Sequence, residues 1–273
     1  MPVSVIVPTR NSERTIRACL ASVRAQRNAT VELIVVDNHS ADRTAEIARE
    51  YADTVLIVGP ERSAQRNLGA SRAKGEILVF IDSDMVLEGG VVGECVSAFE
   101  ETATPALVIP EESFGKGFWA ACKRFERSFY VGVPWMEAPR AFRRAAFMEA
   151  GGFDESLVAG EDWDLGARVA RTGALGRIGS RILHDEGAPT LASLVRKKLR
   201  YARAFRGYRA KPEHRAALRM QTGIVARYGL YFRSPRRLWK NPALAIGMLF
   251  MKSCEFGIGA IGYGLALLRR SRT

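Results

Sequence analysis

The chain has 273 residues, 47% of them hydrophobic, enough for one large α/β domain or for such a domain with a helical appendage. Its four cysteines, Cys19, Cys95, Cys122 and Cys254, have neither metal-ligand nor redox spacing, which excludes a thiolate metal centre and a dithiol redox site and fits reduced, packed thiols. The formal charge is +12, but residues 1–188 hold 22 Lys/Arg and 27 Asp/Glu, while residues 189–241 hold 15 Lys/Arg against Glu213 alone; the basic character belongs to the C-terminal third and points to an anionic partner for that region only.

The opening MPVSVIVPTR lacks a basic stretch followed by an apolar one, so no secretory leader is expected, and it enters a strand at once over Val3–Val7, stopped by Pro8. Asn11 or Ser12 can cap a helix running to about Gln26, with Ile16, Leu20 and Val23 at helical spacing. Val31–Val36 predicts a second strand, Asp37–Asp42 a turn, Thr44–Tyr51 a helix and Thr54–Val58 a third strand. Ala64–Ala73 reads as a helix ended by Gly75, and Ile77–Ile81 as a fourth strand. This βαβαβαβ order predicts an α/β fold with a mostly parallel sheet and helices on both faces. In such sheets the site lies at the carboxyl ends of the strands, where Thr9 and Arg10, Asp37, and Asp82-Ser83-Asp84 all fall.

Beyond residue 85 the pattern is less regular. Val91–Glu101 predicts a helix, Leu107–Pro110 a strand, Phe114–Val133 a helix followed by a loop, and Gly160–Thr172 a helix opening with acids. From Pro189 the character changes: Thr190–Arg209 and Glu213–Tyr228 read as basic amphipathic helices, and Pro242–Leu268 is apolar apart from Lys252 and Glu255, with Arg269, Arg270 and Arg272 after it.

Asp82 and Asp84, two residues apart on a turn directly after the run ILVFI, can face one hard cation, and Mg²⁺ or Mn²⁺ takes oxygen ligands and bridges to phosphates. Glu161 and Asp162 open a helix, where acids complement the macrodipole; Asp164 fits that role. His184 follows an apolar stretch, and Trp135 and Trp163 are large enough to stack on a sugar or to fill a core.

Four blocks in order, VSVIVPTRN, VVDNHSADRT, RSAQRNLGASRAKGEILVFIDSDM and AGGFDESLVAGEDWDLGARV, resemble glycosyltransferase family two, the inverting enzymes of the Rossmann-like GT-A fold. The resemblance reaches from residue 3 to about 170; Asn38 and His39 depart from the Asp and Gly of the second block, and 105–140 and everything after 188 match nothing. It implies a nucleotide-diphospho-sugar transferase with Pro8, Thr9, Arg10, Asp37, Arg66, Asp82 and Ser83 around the donor, Asp37 on the base or ribose and Arg66 beside the base. It implies Asp82 and Asp84 on the metal, with His184 completing the shell. It implies a general base at the Glu161-Asp162 pair, Asp162 ahead of Glu161, and an acceptor or sugar pocket at Gly152 and Phe153, with Trp135 beside them. His39 and His214 receive no role.

The organisation expected is therefore a catalytic domain over 1–188 and a basic helical region with an apolar tail over 189–273. A lysine at mid-span costs about 2.5–3.5 kcal/mol on insertion scales, so Pro242–Leu268 is expected first to lie in the interface or re-enter, with a full span and then a soluble docking helix as the alternatives, Lys252 and Glu255 offsetting each other three residues apart. An anionic membrane surface is then the expected partner of the basic helices, the cytoplasmic face of the membrane the expected location, and a lipid-linked or glycan acceptor for the cell envelope the expected substrate. Competing readings are a sugar-phosphate nucleotidyltransferase, which would want a glycine-rich loop where VPTRNSERT has none, and a nucleic-acid-binding module, which leaves the acids unexplained.

Overall fold

Val3, Val5 and Val7 alternate with Ser4, Ile6 and Pro8 along the first strand, and every residue from Val3 to Thr9 is buried. The valines join one apolar cluster and Ile6 another, on the opposite face, which is why this stretch is apolar in both phases rather than alternating with polar residues. The computed structural model describes residues 1–59, 61–204, 206–211 and 215–268. Glu213, His214, Arg269, Arg270 and Arg272 lie outside the described residues.

In chain order the elements are β1 (Val3–Thr9), α1 (Glu13–Arg24), β2 (Val31–Asp37), α2 (Thr44–Tyr51), β3 (Thr54–Ile57), α3 (Arg62–Arg72), β4 (Ile77–Phe80), β5 (Met85–Leu87), α4 (Val91–Glu101), β6 (Ala106–Val108) and β7 (Glu111–Phe114). They continue with α5 (Phe118–Arg127), β8 (Ala141–Arg143), α6 (Arg144–Glu149), α7 (Glu161–Val169), β9 (Gly176–Arg177), β10 (Ile182–Asp185) and the helices α8 (Leu191–Ala204), α9 (Arg206–Ala210), α10 (Arg215–Thr222), α11 (Ile224–Phe232), α12 (Pro235–Lys240) and α13 (Pro242–Leu268).

The chain divides into two compact units, one of Met1–Glu112 with Glu137–Asp185, the other of Ser113–Met136 with Glu186–Thr273. The excursion 113–136 joins the second unit because α5 packs with α13, far along the chain.

In the first unit a seven-stranded sheet runs β3-β2-β1-β4-β8-β6-β9, with β3, β2, β1 and β4 parallel and β8 antiparallel to both neighbours. Helices α1, α2 and α4 cover the valine face, and α3, α6 and α7 the other. The mostly parallel α/β sheet read from the sequence is thus the sheet observed. Pro8 does not end β1: pairing with β4 stops at Ile6, while pairing with β2 continues to Thr9 opposite Asp37, so the missing N–H interrupts nothing. The short β8, β9 and β10 were not legible, each being too brief to show a period.

Gly69 sits where α3 lies on β1: a Cβ there would come within 2.4 Å of Ile6 Cγ2. Gly69→Ala should therefore cost about 1–3 kcal/mol by overpacking. A lower denaturant midpoint at unchanged slope would show it.

The second unit is helical. The span 213–228, expected as one helix, breaks at Gly223, where a Cβ would meet the Arg219 carbonyl oxygen at 2.3 Å. Within 190–209, α8 and α9 are helical on either side of residue 205, which lies outside the described residues. One face of α13 is covered by α5 and α8, with Met248 and Met251 fully buried. Lys252 and Glu255 pair as expected, at 2.6 Å, but both are buried and Lys252 also meets Glu126 of α5 at 2.8 Å. Burial would push the Glu126 carboxyl up, but Lys123 and Lys252 hold it well below the usual carboxylate range. Among the described residues no helix is long and apolar enough to cross a membrane.

Candidate functional site

Three strands of the first unit end at one rim. β1 delivers Thr9, β2 delivers Asp37, and β4 runs into Asp82. The loops after β1 and β2 are tied together: Asn11, at φ 48°, accepts the Ala41 N–H and donates its own N–H to Ser40 Oγ. Asp37 is buried and accepts both the N–H and the hydroxyl of Ser40, so it fixes its own loop. Thr9 Oγ1 is buried with no hydrogen-bond partner, Pro8 is buried within its strand, and Arg10 is exposed. Ser83 donates its hydroxyl to Ser12 Oγ at 2.8 Å.

Behind this rim lies a knot of charge. Arg66, expected beside the nucleotide base, reaches from α3 into the interior with no exposed surface. Its guanidinium meets Asp82 Oδ1 at 2.6 Å, Asp162 Oδ1 at 2.9 Å and Glu161 Oε1 at 3.3 Å, and it lies over the Phe153 ring, 5.0 Å from the centroid. Arg62 adds a second contact to Glu161, at 3.2 Å. Arg140 comes from the strand side, its backbone held by Leu107 and Phe80, and bonds Glu111 at 3.0 Å. Its Nη1 stands 3.6 Å from both Asp82 Oδ2 and Asp162 Oδ2, buried and without a hydrogen bond. Arg66 Nε is likewise buried without one.

These contacts split the acids. Burial works to raise the Asp82 carboxyl, but Arg66, Arg140 and Arg62 outweigh it and hold it well below the usual range. Glu161 goes the other way: burial and the neighbouring Asp162 charge raise its carboxyl against the pull of Arg66 and Arg62. Asp162 keeps about a quarter of its side chain exposed and Glu161 keeps 5%, so Asp162 is the more accessible of the two. Burial alone would lower the Arg66 guanidinium; Asp162, Asp82 and Glu161 reverse this and raise it.

Arg140 was missed. It sits in the 105–140 stretch, where no motif marked it, and only the antiparallel insertion of β8 between β4 and β6 brings it to the rim.

Asp84 and His184 stand together. β5 and β10 are antiparallel with Met85 opposite His184, which sets His184 Nε2 3.1 Å from Asp84 Oδ2. Asp185 beside them meets Arg14 at 2.6 Å. Asp82 does not join them as the expected third ligand, because the two arginines draw its oxygens away. Among the described residues no three His, Cys, Asp or Glu side chains are gathered to hold a metal ion. Asp84 and His184 nonetheless offer one carboxylate oxygen and one imidazole nitrogen within a hydrogen bond of each other. That donor set fits a cation taking its remaining ligands from phosphate and water, as Mg²⁺ commonly does.

Of the residues expected at the acceptor pocket, Gly152 and Phe153 are buried in the first unit and Trp135 belongs to the second. Phe153 is buried among Phe80 and Phe147, beneath Arg66, because an aromatic floor is what a fully buried guanidinium can stack on. Gly152, at φ 68°, is buried with no room for a Cβ against Asn67 Oδ1, so it serves a close backbone turn. Trp135 belongs to the second unit, packed against a cluster of Phe129, Leu230, Tyr231 and Met248. A surface cavity lined by Met1, Arg27, Gly93 and Ile178 contains none of the site residues.

The model of the family described as Glycosyl transferase family 2 matches residues 4–152. The chain is 40% identical over 92 residues to the putative glycosyltransferase EpsH of Bacillus subtilis, covering 32% of this chain and 27% of that protein. It is 26% identical over 193 residues to the O-antigen chain rhamnosyltransferase WbaN of Salmonella anatum, covering 62% and 61%. It thus spans less than two thirds of the length of these curated relatives. Among solved structures it is similar to the mannosyltransferase PcManGT from Pyrobaculum calidifontis in complex with GDP-Man and Mn²⁺. That likeness has a TM-score of 0.54 and 18% identity over 97% of this chain and 80% of the other, and supports the fold.

Proposed function

The chain belongs to glycosyl transferase family 2, and from that premise we propose that it moves a sugar from a nucleotide-diphospho-sugar to a hydroxyl or phosphate acceptor borne on a lipid, by one inverting displacement assisted by Mg²⁺ or Mn²⁺. The observation that carries this reading is the convergence of Asp82, Glu161 and Asp162 on Arg66, with Asp84 and His184 paired at the same carboxyl edge.

In this reading Asp162 accepts the proton of the acceptor hydroxyl as that oxygen attacks the anomeric carbon. The bond from that carbon to the diphosphate breaks on the opposite side, and the nucleoside diphosphate leaves with the electron pair. A phosphate acceptor is already ionised and needs no such proton transfer. Asp84 and His184 would hold the cation, which when bound neutralises charge on the departing diphosphate. Arg66 and Arg140 hold the Asp162 carboxylate in place from two sides. Thr9 Oγ1 and Arg140 Nη1, buried without hydrogen-bond partners, supply polar atoms toward the donor. Work on the cytoplasmic face of a membrane, in making an envelope glycan or glycolipid, is supported by the charge of residues 189–241.

The test is a panel of nucleotide sugars with Mn²⁺ or Mg²⁺, followed by thermal shift and donor hydrolysis. Asp84→Asn should weaken metal-dependent donor binding by about 10-fold or more, since even outer-shell changes cost 10- to 100-fold in metal affinity, and leave metal-free binding unchanged. The proposal fails if no nucleotide sugar binds more tightly with the cation than without it.

A further inference from the structure

We propose that the outward edge formed by α11, α12 and the first turns of α13 is a docking face for an anionic lipid surface. The proposal rests on the reading above, of an acceptor carried on a lipid, and specifies where that lipid surface is met.

Each of the three helices packs some residues on its own unit and leaves at least one large apolar side chain uncovered. In α11, Arg227, Leu230 and Tyr231 are buried, while Val225 is 87% and Phe232 56% exposed, on one stripe with exposed Gly229 between them. In α12, Leu238 packs on the cluster of Phe129 and Met248, and Trp239, beside it, is 81% exposed. In α13, Met248, Met251 and Lys252 face inward, and Ile246 is 70% exposed. Four large apolar side chains so exposed within 22 residues, 225–246, are not the scattered single residues of an ordinary surface. An indole presented to solvent suits the boundary between water and hydrocarbon, where its apolar body and its N–H are both served.

The charge identifies the occupant. Along the chain between those apolar residues Arg233, Arg236 and Lys240 are exposed, and no Asp or Glu occurs from 214 to 254. Such a face is drawn to anionic headgroups, and its stems and aromatics then enter the interface. A second copy of the chain fits poorly, because a two-fold contact would set this face against itself and oppose like charges. The attachment is peripheral. Lys252 is held within the protein by both Glu255 and Glu126, which keeps this charge cluster out of lipid. Here the structure changes what the sequence suggested: the lipid face is the edge leading into the apolar helix, with that helix's inner side committed to packing.

The full chain would be sedimented with phosphatidylcholine vesicles with and without phosphatidylglycerol, at low and high salt. We expect salt-sensitive partition to the anionic vesicles only, with a blue shift of tryptophan emission that Trp239→Phe removes. The triple variant Arg233→Ser/Arg236→Ser/Lys240→Ser should lose on the order of 100-fold in partition, from about 5-fold per base. A wild-type chain that stays in the supernatant with anionic vesicles, or a triple variant that partitions unchanged, overturns the proposal. So does a lipid-free dimer that Trp239→Ser dissolves, which would give the face to a second copy. Thermal shift with nucleotide sugar and Mn²⁺ on the same preparations keeps the two readings apart. A donor shift without vesicle binding removes the lipid face alone, and vesicle binding without a donor shift leaves the face and removes the transferase.

Discussion

Arg66→Met should lower the unfolding free energy by about 3–5 kcal/mol, the cost of removing one partner from a buried ion cluster and leaving the others uncompensated. Asp82, Glu161 and Asp162 all meet this guanidinium, which itself has no exposed surface. Methionine keeps most of the volume and the contact with Phe153, so the loss comes from charge and not from a cavity. Lysine restores one ammonium where a planar fork served three carboxylates, and Arg66→Lys should recover only part of the loss. The effect has a pH signature. The Asp82 carboxyl is held below its unfolded value in the native chain, so its stabilisation is present above the unfolded value of about 4 and is lost as pH falls further. The gap between wild type and Arg66→Met should therefore be widest near neutrality and narrow in acid. Denaturant titrations at several pH values measure it, and an undiminished gap at pH 3 would mean that Asp82 is not the group that Arg66 stabilises.

What the sequence disclosed follows the range of the interactions concerned. β1, β2 and β4 were legible because both faces of each are buried, which writes unbroken apolar runs into the chain. Asp37 and Asp82 were legible as edge residues because they follow those runs directly. The partners of each side chain were not legible. Arg66 lies 16 residues from Asp82 but 96 from Asp162, and nothing local records which carboxylates a helix-borne arginine will meet. Arg140 depends on β8, three residues inserted antiparallel between two other strands, which leave no period to read. The resemblance placed Phe153 at the acceptor or sugar pocket, but nothing local in the sequence recorded that its ring would lie beneath the buried Arg66 guanidinium. The same limit explains Lys252 and Glu255: their pairing at three residues was visible, but the decisive partner, Glu126, comes from more than a hundred residues earlier.

Asp162→Asn should lower kcat by about 10²–10⁴-fold with a hydroxyl acceptor, the range of a lost general base, while KM for the donor changes little. The asparagine amide oxygen can still accept from Arg66, so the fold around the site should survive and the loss should not be one of stability. Glu161→Gln is the discriminating comparison. Glu161 keeps 5% of its side chain exposed and is engaged by both Arg62 and Arg66, so its replacement should cost stability and spare most of kcat. Should Glu161→Gln instead lose as much kcat as Asp162→Asn at unchanged stability, the base is Glu161, and Asp162 serves only to hold the arginines. A phosphate acceptor separates the roles again, since its attacking oxygen carries no proton at neutral pH and Asp162→Asn should then lose little. Measuring both variants against both acceptor types therefore identifies the base and, by which acceptor is insensitive to its loss, the chemistry of the group that receives the sugar.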